Sequence, residues 1–375
     1  MQIVVNTRLL LKNRLEGIGW FTYQTLKRIT KNNPEVHFVF LFDRDFDEEF
    51  IFSDNITPIS LGPQARHPFL YYVWFQYSVK HLLKKMKPDL FLSPDGFLSL
   101  GAACAQLPVI HDINFLHHPN DLRPLTGKYY NYYFPKFARQ ATRIATVSKY
   151  SKKDIAESYG IDPNNIDVVY NGINSFFKPI NENTKLETKT KFSGGKDYFV
   201  FVSSMHPRKN ILNLVKAFAL FKTESHSDLK LLLAGPVFWG MYPIQQVIED
   251  HQLKGEVIFT GRLSNEDLAA VLGSALALTF IPYYEGFGIP LVEAMEAKVP
   301  IITSNISSLP EIAGDAALLV NPFEVNEIKD AMLAIHNDKN LGENLVAKGI
   351  LQKQNFSWDR SANLLWDSVI KTINT

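Results

Sequence analysis

Two glutamates, Glu285 and Glu293, bracket a pair of glycines in the stretch Tyr284-Glu285-Gly286-Phe287-Gly288-Ile289-Pro290-Leu291-Val292-Glu293. Gly286 and Gly288 let backbone approach a ligand closely, and amides at a helix start favour an anion. Carboxylates accept hydrogen bonds from vicinal hydroxyls. Acids beside an anion site suit no simple phosphate. They suit a sugar nucleotide, whose hydroxyls meet the carboxylates while amides hold the diphosphate. The plainer account is a turn whose glutamates lie at the favourable end of a helix dipole.

Other reactive groups stand where apolar runs end. Ser203-Ser204-Met205-His206-Pro207-Arg208-Lys209-Asn210 places two cations, Arg208 and Lys209, after one such run. They could neutralise a diphosphate leaving group as a metal otherwise would; a solvated basic turn is the alternative. His111-Asp112 follows Pro108–Ile110, where His111 could serve chemistry or merely top a core, and Asp112 could cap a turn. Gly17 and Gly19, in Arg14-Leu15-Glu16-Gly17-Ile18-Gly19-Trp20, fall where α/β proteins bind ligands. Thr22 occupies the place of a third glycine, which disfavours dinucleotide binding. Ser308-Leu309-Pro310-Glu311 reads as a capping box, so Glu311 is expected to hold a helix end. Asp43-Arg44-Asp45 imitates a metal-binding spacing but sits with Asp47, Glu48 and Glu49 in what reads as a solvated loop. No metal is expected.

These groups need strand ends and helix starts to position them. The pattern predicts strands at Ile3–Asn6, His37–Phe42, Leu90–Ser93, Val109–His111, Arg143–Val147 and Asp167–Val169. The rhythm restarts at Tyr198–Ser203, Lys230–Ala234, Val257–Thr260, Ala275–Phe280, Pro300–Thr303 and Ala317–Val320. Strands alternating with helical patterns imply α/β architecture with doubly wound parallel sheets. At 375 residues two domains are expected, 1–175 and 176–357, with the polar stretch Lys178 to Lys196 as linker. The helical segment 358–373 could cap the second domain or return to the first.

A net charge of +1 gives no signal for nucleic acid. Cys104 stands alone, so no intrachain disulfide forms. Gln2-Ile3-Val4-Val5 opens directly as a strand, and the longest apolar run, Gly96 to Ile110, is too short to span a bilayer, so a cytoplasmic location is expected. Arg66 to Lys87 carries five Lys/Arg and no acid among Phe69, Tyr71, Tyr72, Trp74, Phe75 and Tyr77. It reads either as a basic, aromatic helix for an anionic membrane surface or as a helix packed on the first domain.

With these residues assembled, the sequence resembles the retaining, nucleotide-sugar-dependent glycosyltransferases of the GT-B fold, the glycosyl transferases group 1. The likeness covers nearly the whole chain and is most specific from Gly261 through Pro322. Glu285 and Glu293 match the family's Glu-x7-Glu motif, continued by Asn305 to Glu311 and Gly314 to Ala317. Thr146 to Ser151, Tyr170 to Ile173 and Pro207 to Asn210 also match, and His111 to Pro119 looks most like bacterial mannosyltransferases.

The resemblance implies two Rossmann-like domains facing a cleft. Glu293 would hold the ribose, Glu285 the donor sugar, and Arg208 and Lys209 the diphosphate. Phe287 and Gly288 amides would lie near sugar and phosphates, with Arg262 and Leu263 by the base. His111 would serve the sugar from the first domain, and Gly17 and Gly19 would border phosphates or acceptor. It further implies a metal-independent hexosyl transfer with retention, without cofactor. GDP-mannose is the first expectation for the donor and a UDP-hexose the second; the acceptor is a glycan or lipid-linked sugar, with Asp112 on its side. The enzyme would be cytoplasmic and peripheral on the inner membrane face. Ser203-Ser204 departs from the family's usual glycine, and Glu296-Ala297-Lys298 from Ala-Cys-Gly; Lys298 at a helix end would then be strained. A nucleotide-sugar epimerase, a catalytically silent two-lobed binding protein and a dinucleotide oxidoreductase are the rivals. An epimerase would need no acceptor.

Overall fold

The computed structural model describes residues 1–237 and 242–375. The chain divides into two compact units, Met1–Gly172 with Ser357–Thr375, and Ile173–Phe356.

In the first unit, β1 (Gln2–Asn6), β2 (His37–Phe42), β3 (Ile56–Ser60), β4 (Leu90–Ser93) and β5 (Ala105–Pro108) form a parallel sheet in the order β3-β2-β1-β4-β5. The interiors of β1, β2 and β4, Ile3–Val5, Phe38–Phe42 and Leu90–Leu92, are apolar and buried because helices cover both faces of such a sheet. The order reverses at β1, which places the C-terminal ends of β1 and β4 at a ligand-binding switch point. Strand β5 ends at Pro108, so His111 lies three residues beyond it; Val109 makes only an isolated bridge to Ala145. β6 (Ile144–Thr146) and β7 (Ile166–Val168) continue as a parallel pair.

The last helix, Trp358–Ile373, belongs to the first unit. Arg28 Nε donates to Asp359 at 2.5 Å, the Ser361 hydroxyl donates to the Tyr170 carbonyl, and the Phe21 and Trp358 rings meet edge to face. Gly172 is a glycine because this returning chain crosses it: a Cβ there would lie 2.3 Å from the Trp358 nitrogen.

In the second unit, β8 (Tyr198–Val202), β9 (Lys230–Ala234), β10 (Val257–Gly261), β11 (Ala277–Phe280), β12 (Ile301–Ser304) and β13 (Leu318–Val320) form a six-stranded parallel sheet in the order β10-β9-β8-β11-β12-β13. The switch point falls between β8 and β11. The stretch expected as a linker is mostly helix, Glu182–Ser193, capped by Asn181, whose side chain accepts from the Thr184 amide. Its polarity misled because the helix rests on the unit's rim, with Lys191 paired to Asp267 at 2.8 Å. Lys298 adopts the left-handed conformation at φ 58°, as its departure from glycine implied.

One further expectation is corrected and one open alternative is narrowed. Asp43 is not in a solvated loop. It is buried; both its oxygens pair with the Arg44 guanidinium, at 2.6 and 2.8 Å, and the Ala65 amide donates to it at 2.8 Å. Arg66 to Lys87 folds as helix Pro68–Val73, a π-helical stretch Trp74–Val79 and helix Lys80–Met86. Trp74 and Phe75 are fully buried, and Trp74 Nε1 donates to the Leu61 carbonyl. Those two rings are core, not membrane anchors. Among the described residues no helix is long and apolar enough to cross a membrane.

Candidate functional site

In the second unit, β8 leads into the 3-10 turn Pro207–Lys209, and β11 leads into the Glu285 loop. Asn210, at φ 61°, ends the turn and ties it down by donating to the Ile281 and Pro322 carbonyls at 3.1 and 2.7 Å. The Tyr283 amide donates back to the Arg208 carbonyl at 3.0 Å. The two strand ends thus bring Arg208, Lys209 and Glu285 together. Arg208 donates to the Glu285 carboxylate at 2.8 Å and to the Tyr284 carbonyl at 3.2 Å, and Lys209 donates to the same carboxylate oxygen. The Lys209 ammonium also stands 4.9 Å from the centre of the Phe280 ring. Burial pushes the Glu285 carboxyl up, but Lys209 and Arg208 outweigh it and hold it below the ordinary carboxylate range. The cluster sets two adjacent cations on one carboxylate, and paired cations at a strand end suit an incoming diphosphate.

Ser308 does not form the expected capping box. Its backbone is already helical and its hydroxyl donates to the Glu285 carbonyl at 2.9 Å, fixing the glutamate loop. Glu311 lies in the first turn of helix Leu309–Ala313.

Helix Ile289–Ala297 begins as the sequence implied, with Pro290 in its first turn. Gly288 precedes it at φ 93°, where a Cβ would lie 2.6 Å from Leu309 Cδ2, so only glycine fits. Gly286 and Phe287 are buried, and the Phe287 ring stands edge-on to Phe356 at 5.6 Å. Glu293, on this helix, is 8 % exposed, and among the described residues no group hydrogen-bonds its carboxylate. Burial alone pushes its carboxyl up to about 8. A buried carboxylate without a partner is costly to keep and is the kind of group a ligand satisfies. At the end of β10, Arg262 is exposed and Leu263 partly so.

The first unit holds the remaining candidates. Gly17 and Gly19 lie inside the first turn of helix Gly17–Asn32, not in a loop before it; Gly17 is exposed and Gly19 buried. Thr22 is further along this helix, its hydroxyl donating to the Ile18 carbonyl at 2.8 Å. The same helix presses the Phe21 edge onto the His111 ring at 5.1 Å. His111 Nε2 faces the Pro94 carbonyl at 2.9 Å. A carbonyl only accepts, so Nε2 carries the proton and Nδ1 of the neutral ring is an acceptor. Burial pushes this imidazole below its ordinary range, against the pull of the Pro94 carbonyl, Asp112 and Asp95. Asp112 Oδ1 accepts from the Asn114 amide and side chain at 3.0 and 2.7 Å, so it does cap a turn.

Residues that carried no role in the sequence reading hold His111 in place. The Ser151 hydroxyl donates to the His111 carbonyl at 3.1 Å and Thr146 Oγ1 to the Ile110 carbonyl at 2.7 Å. The signal was the Thr146-to-Ser151 motif itself. Beside them, Asp95 accepts from Arg8 Nε at 2.6 Å and Asn6 Nδ2 at 2.7 Å. Arg8 is buried against the Tyr71, Phe75 and Phe97 rings.

Residues 182–352 match the model of the glycosyl transferases group 1, and residues 15–175 that of glycosyltransferase family 4. The O-antigen chain mannosyltransferase B of Escherichia coli is 30 % identical over 282 residues, 74 % of this chain and 73 % of that enzyme. The chain belongs to the glycosyl transferases group 1. This glycosyltransferase, a hexosyltransferase by family, is also 30 % identical over 227 residues to the O-antigen chain mannosyltransferase RfbU of Salmonella typhimurium, covering 60 % of each chain. Among solved structures, Anabaena HepE in complex with UDP and glucose matches with a TM-score of 0.76 at 16 % identity, over 99 % of this chain and all of that one. WaaG, a glycosyltransferase involved in lipopolysaccharide biosynthesis, matches with a TM-score of 0.74 at 15 % identity, over 99 % of both chains. The two parallel-sheet units of this glycosyltransferase have the GT-B fold.

Proposed function

We propose that this glycosyltransferase moves a hexose from a nucleoside-diphosphate sugar to a hydroxyl of a glycan or lipid-linked acceptor in polysaccharide biosynthesis. The donor is GDP-mannose first, a UDP-hexose second. The mannosyltransferase relatives support the first choice; a neighbour solved with UDP and glucose keeps the second. Transfer proceeds with retention and without a metal.

The observation that carries this reading is the Arg208–Lys209–Glu285 cluster, two cations and a carboxylate anchored at a switch point. As the donor's anomeric C–O bond breaks, charge grows on the diphosphate, and Arg208 and Lys209 stabilise it without reorganising. The acceptor oxygen bonds to the anomeric carbon on the face the diphosphate leaves, and its proton passes to a departing phosphate oxygen. Glu285 holds the donor sugar, and the amides of Gly286, Phe287 and Gly288 line sugar and phosphates. Glu293 takes the ribose hydroxyls, and Arg262 and Leu263 border the base. The first unit's part is His111, whose Nδ1 accepts from a sugar hydroxyl, with Gly17 and Gly19 toward phosphate or acceptor and Asp112 on the acceptor side. No cofactor takes part. The enzyme works on the cytoplasmic side, with an anionic membrane surface as a further partner.

A nucleotide-sugar panel tests this. A nucleoside diphosphate at about 100 times its Kd stabilises by roughly 2.7 kcal/mol in a thermal-shift assay. GDP is expected to do so more strongly than UDP or ADP, and GDP-mannose to give transfer. A shift with UDP alone moves the donor to a UDP-hexose. Tight donor binding with no transfer to any acceptor favours a silent binding protein, and turnover without acceptor an epimerase.

A further inference from the structure

The helix Pro124–Gln140 has exposed residues the sequence reading did not single out. Leu125, Lys128, Tyr132 and Arg139 are exposed and, with half-buried Lys136, recur at three- and four-residue spacing, so they form one stripe along it. Leu125 is 63 % and Tyr132 58 % exposed, and the Lys136 ammonium rests on the Tyr132 ring at 3.4 Å. The opposite side, with Tyr129, Phe134 and Phe137, is core.

This helix packs beside the Pro68–Met86 segment. Tyr71 meets Tyr129 at 5.8 Å and Tyr72 meets Tyr133 at 6.0 Å, while Lys80 lies by Gly101, whose amide donates to Gln140. The two segments therefore run side by side in the same direction. The second segment turns Phe69, 66 % exposed, Tyr77, 60 % exposed, and Lys80, Lys84 and Lys85 outward. Residues 66–87 hold five Lys/Arg and residues 122–140 hold four, and neither stretch holds an acid. Large apolar side chains left in water among unpaired-sign cations are an interfacial composition: rings enter the headgroup boundary while cations meet anionic lipid.

We propose that these two segments form one docking face for an anionic lipid bilayer. Tyr132 and Leu125 of the one and Phe69 and Tyr77 of the other are its apolar contacts; Trp74 plays no part. The proposal gives the membrane partner of the reading above its location, and it rests on that reading only for the purpose docking serves.

Vesicle co-sedimentation tests it, with phosphatidylcholine vesicles and vesicles about one third phosphatidylglycerol. The enzyme pellets with the anionic vesicles and not the neutral ones, and about 0.5 M salt releases it. The variant Lys128→Ala/Tyr132→Ser/Lys136→Ala/Arg139→Ala weakens this at least tenfold, as does Lys80→Ala/Lys84→Ala/Lys85→Ala. Lys254→Ala/Lys339→Ala/Lys348→Ala, which removes exposed cations elsewhere, leaves it unchanged. Equal recovery in both supernatants, an undiminished Lys128/Tyr132/Lys136/Arg139 variant, or an equal loss in the control overturns the proposal. The thermal shift with nucleoside diphosphate is read on every variant. It stays as in the parent, so loss of docking and failure of the donor reading are separate results.

Discussion

The two units place an ion pair at the same topological point. In each, the first strand and the strand beside it at the reversal carry a cation and a carboxylate: Arg8 after β1 meets Asp95 after β4, and Arg208 and Lys209 after β8 meet Glu285 after β11. The first is balanced, one charge to one, and sealed by three aromatic rings, with Asn6 filling a further acceptor site. The second joins two cations to one carboxylate. Its Glu285 and Arg208 side chains are 15 % and 19 % exposed, against 4 % and 9 % for Asp95 and Arg8. A closed pair fixes a loop; a cluster whose Arg208 and Glu285 solvent can reach is open to a ligand. The same switch-point geometry seals one pair and leaves the other more open.

The largest test of that contrast is stability. Asp95→Ala strands the Arg8 guanidinium in an apolar cage, and removing one partner of a buried pair costs about 3–5 kcal/mol. Denaturant unfolding of the Asp95→Ala variant should show a loss of that order. Glu285→Ala should lose less, since the Arg208 guanidinium, 19 % exposed, keeps water and only Lys209, 5 % exposed, is left buried. Equal losses would erase the distinction.

Next in size is turnover. Lys209→Ala should lower kcat by about 10²-fold or more through lost leaving-group stabilisation, while far-UV circular dichroism stays as in the parent. If Arg208→Ala gives the loss and Lys209→Ala is silent, the two cations exchange roles.

Within the second unit, Glu293 sharpens the contrast from the other side, being a carboxylate with no cation. Its folded pKa, about 8, exceeds the ordinary value near 4.3. The folded state therefore holds its proton longer than the unfolded chain. The stability this contributes is complete below about pH 4 and is lost as pH rises through 8, at up to about 1.4 kcal/mol per unit. Glu293→Gln should accordingly raise Tm relative to the parent at pH 9 and not at pH 5. Donor binding should run the opposite way: the ionised form accepts two hydroxyls, so affinity strengthens toward pH 8 with release of a proton, read by calorimetry in buffers of different ionisation enthalpy. Glu293→Ala should cost about 1.5–3 kcal/mol of donor affinity.

How much of this was legible depends on whether a residue acts alone or through a partner. Buried strands such as His37–Phe42, Leu90–Ser93 and Lys230–Ala234 are apolar runs and read directly. Strand β3, Ile-Thr-Pro-Ile-Ser, was missed because it is a half-buried edge whose Pro58 argues against a strand. The acids and cations of the second unit were visible as residue types at strand ends, but their mutual pairing spans 76 and 77 residues and depends on which strands are neighbours. The same dependence hid Asp95. Ser308 shows the limit of local motifs: its spacing to Glu311 satisfied a capping box, yet its hydroxyl went to a carbonyl that only tertiary structure brings near.

The smallest expected effect is on metal dependence. Asp43 and Asp45 have the spacing of a metal site, and a diphosphate leaving group often uses a divalent cation. Asp43 cannot offer its carboxylate without giving up Arg44 on both oxygens and the Ala65 amide, in a buried place where the abandoned guanidinium would pay the desolvation cost. In the reading proposed above, Arg208 and Lys209 supply the positive charge such an ion would bring. Dialysis against EDTA should therefore leave the initial rate within about twofold of the untreated enzyme, and Asp45→Ala should behave as the parent in the same assay, since a rim carboxylate away from buried partners changes little. Complete loss in EDTA with rescue by manganese would mean that the cations after β8 are insufficient alone. The contrast between the two switch points would then need a metal to complete it.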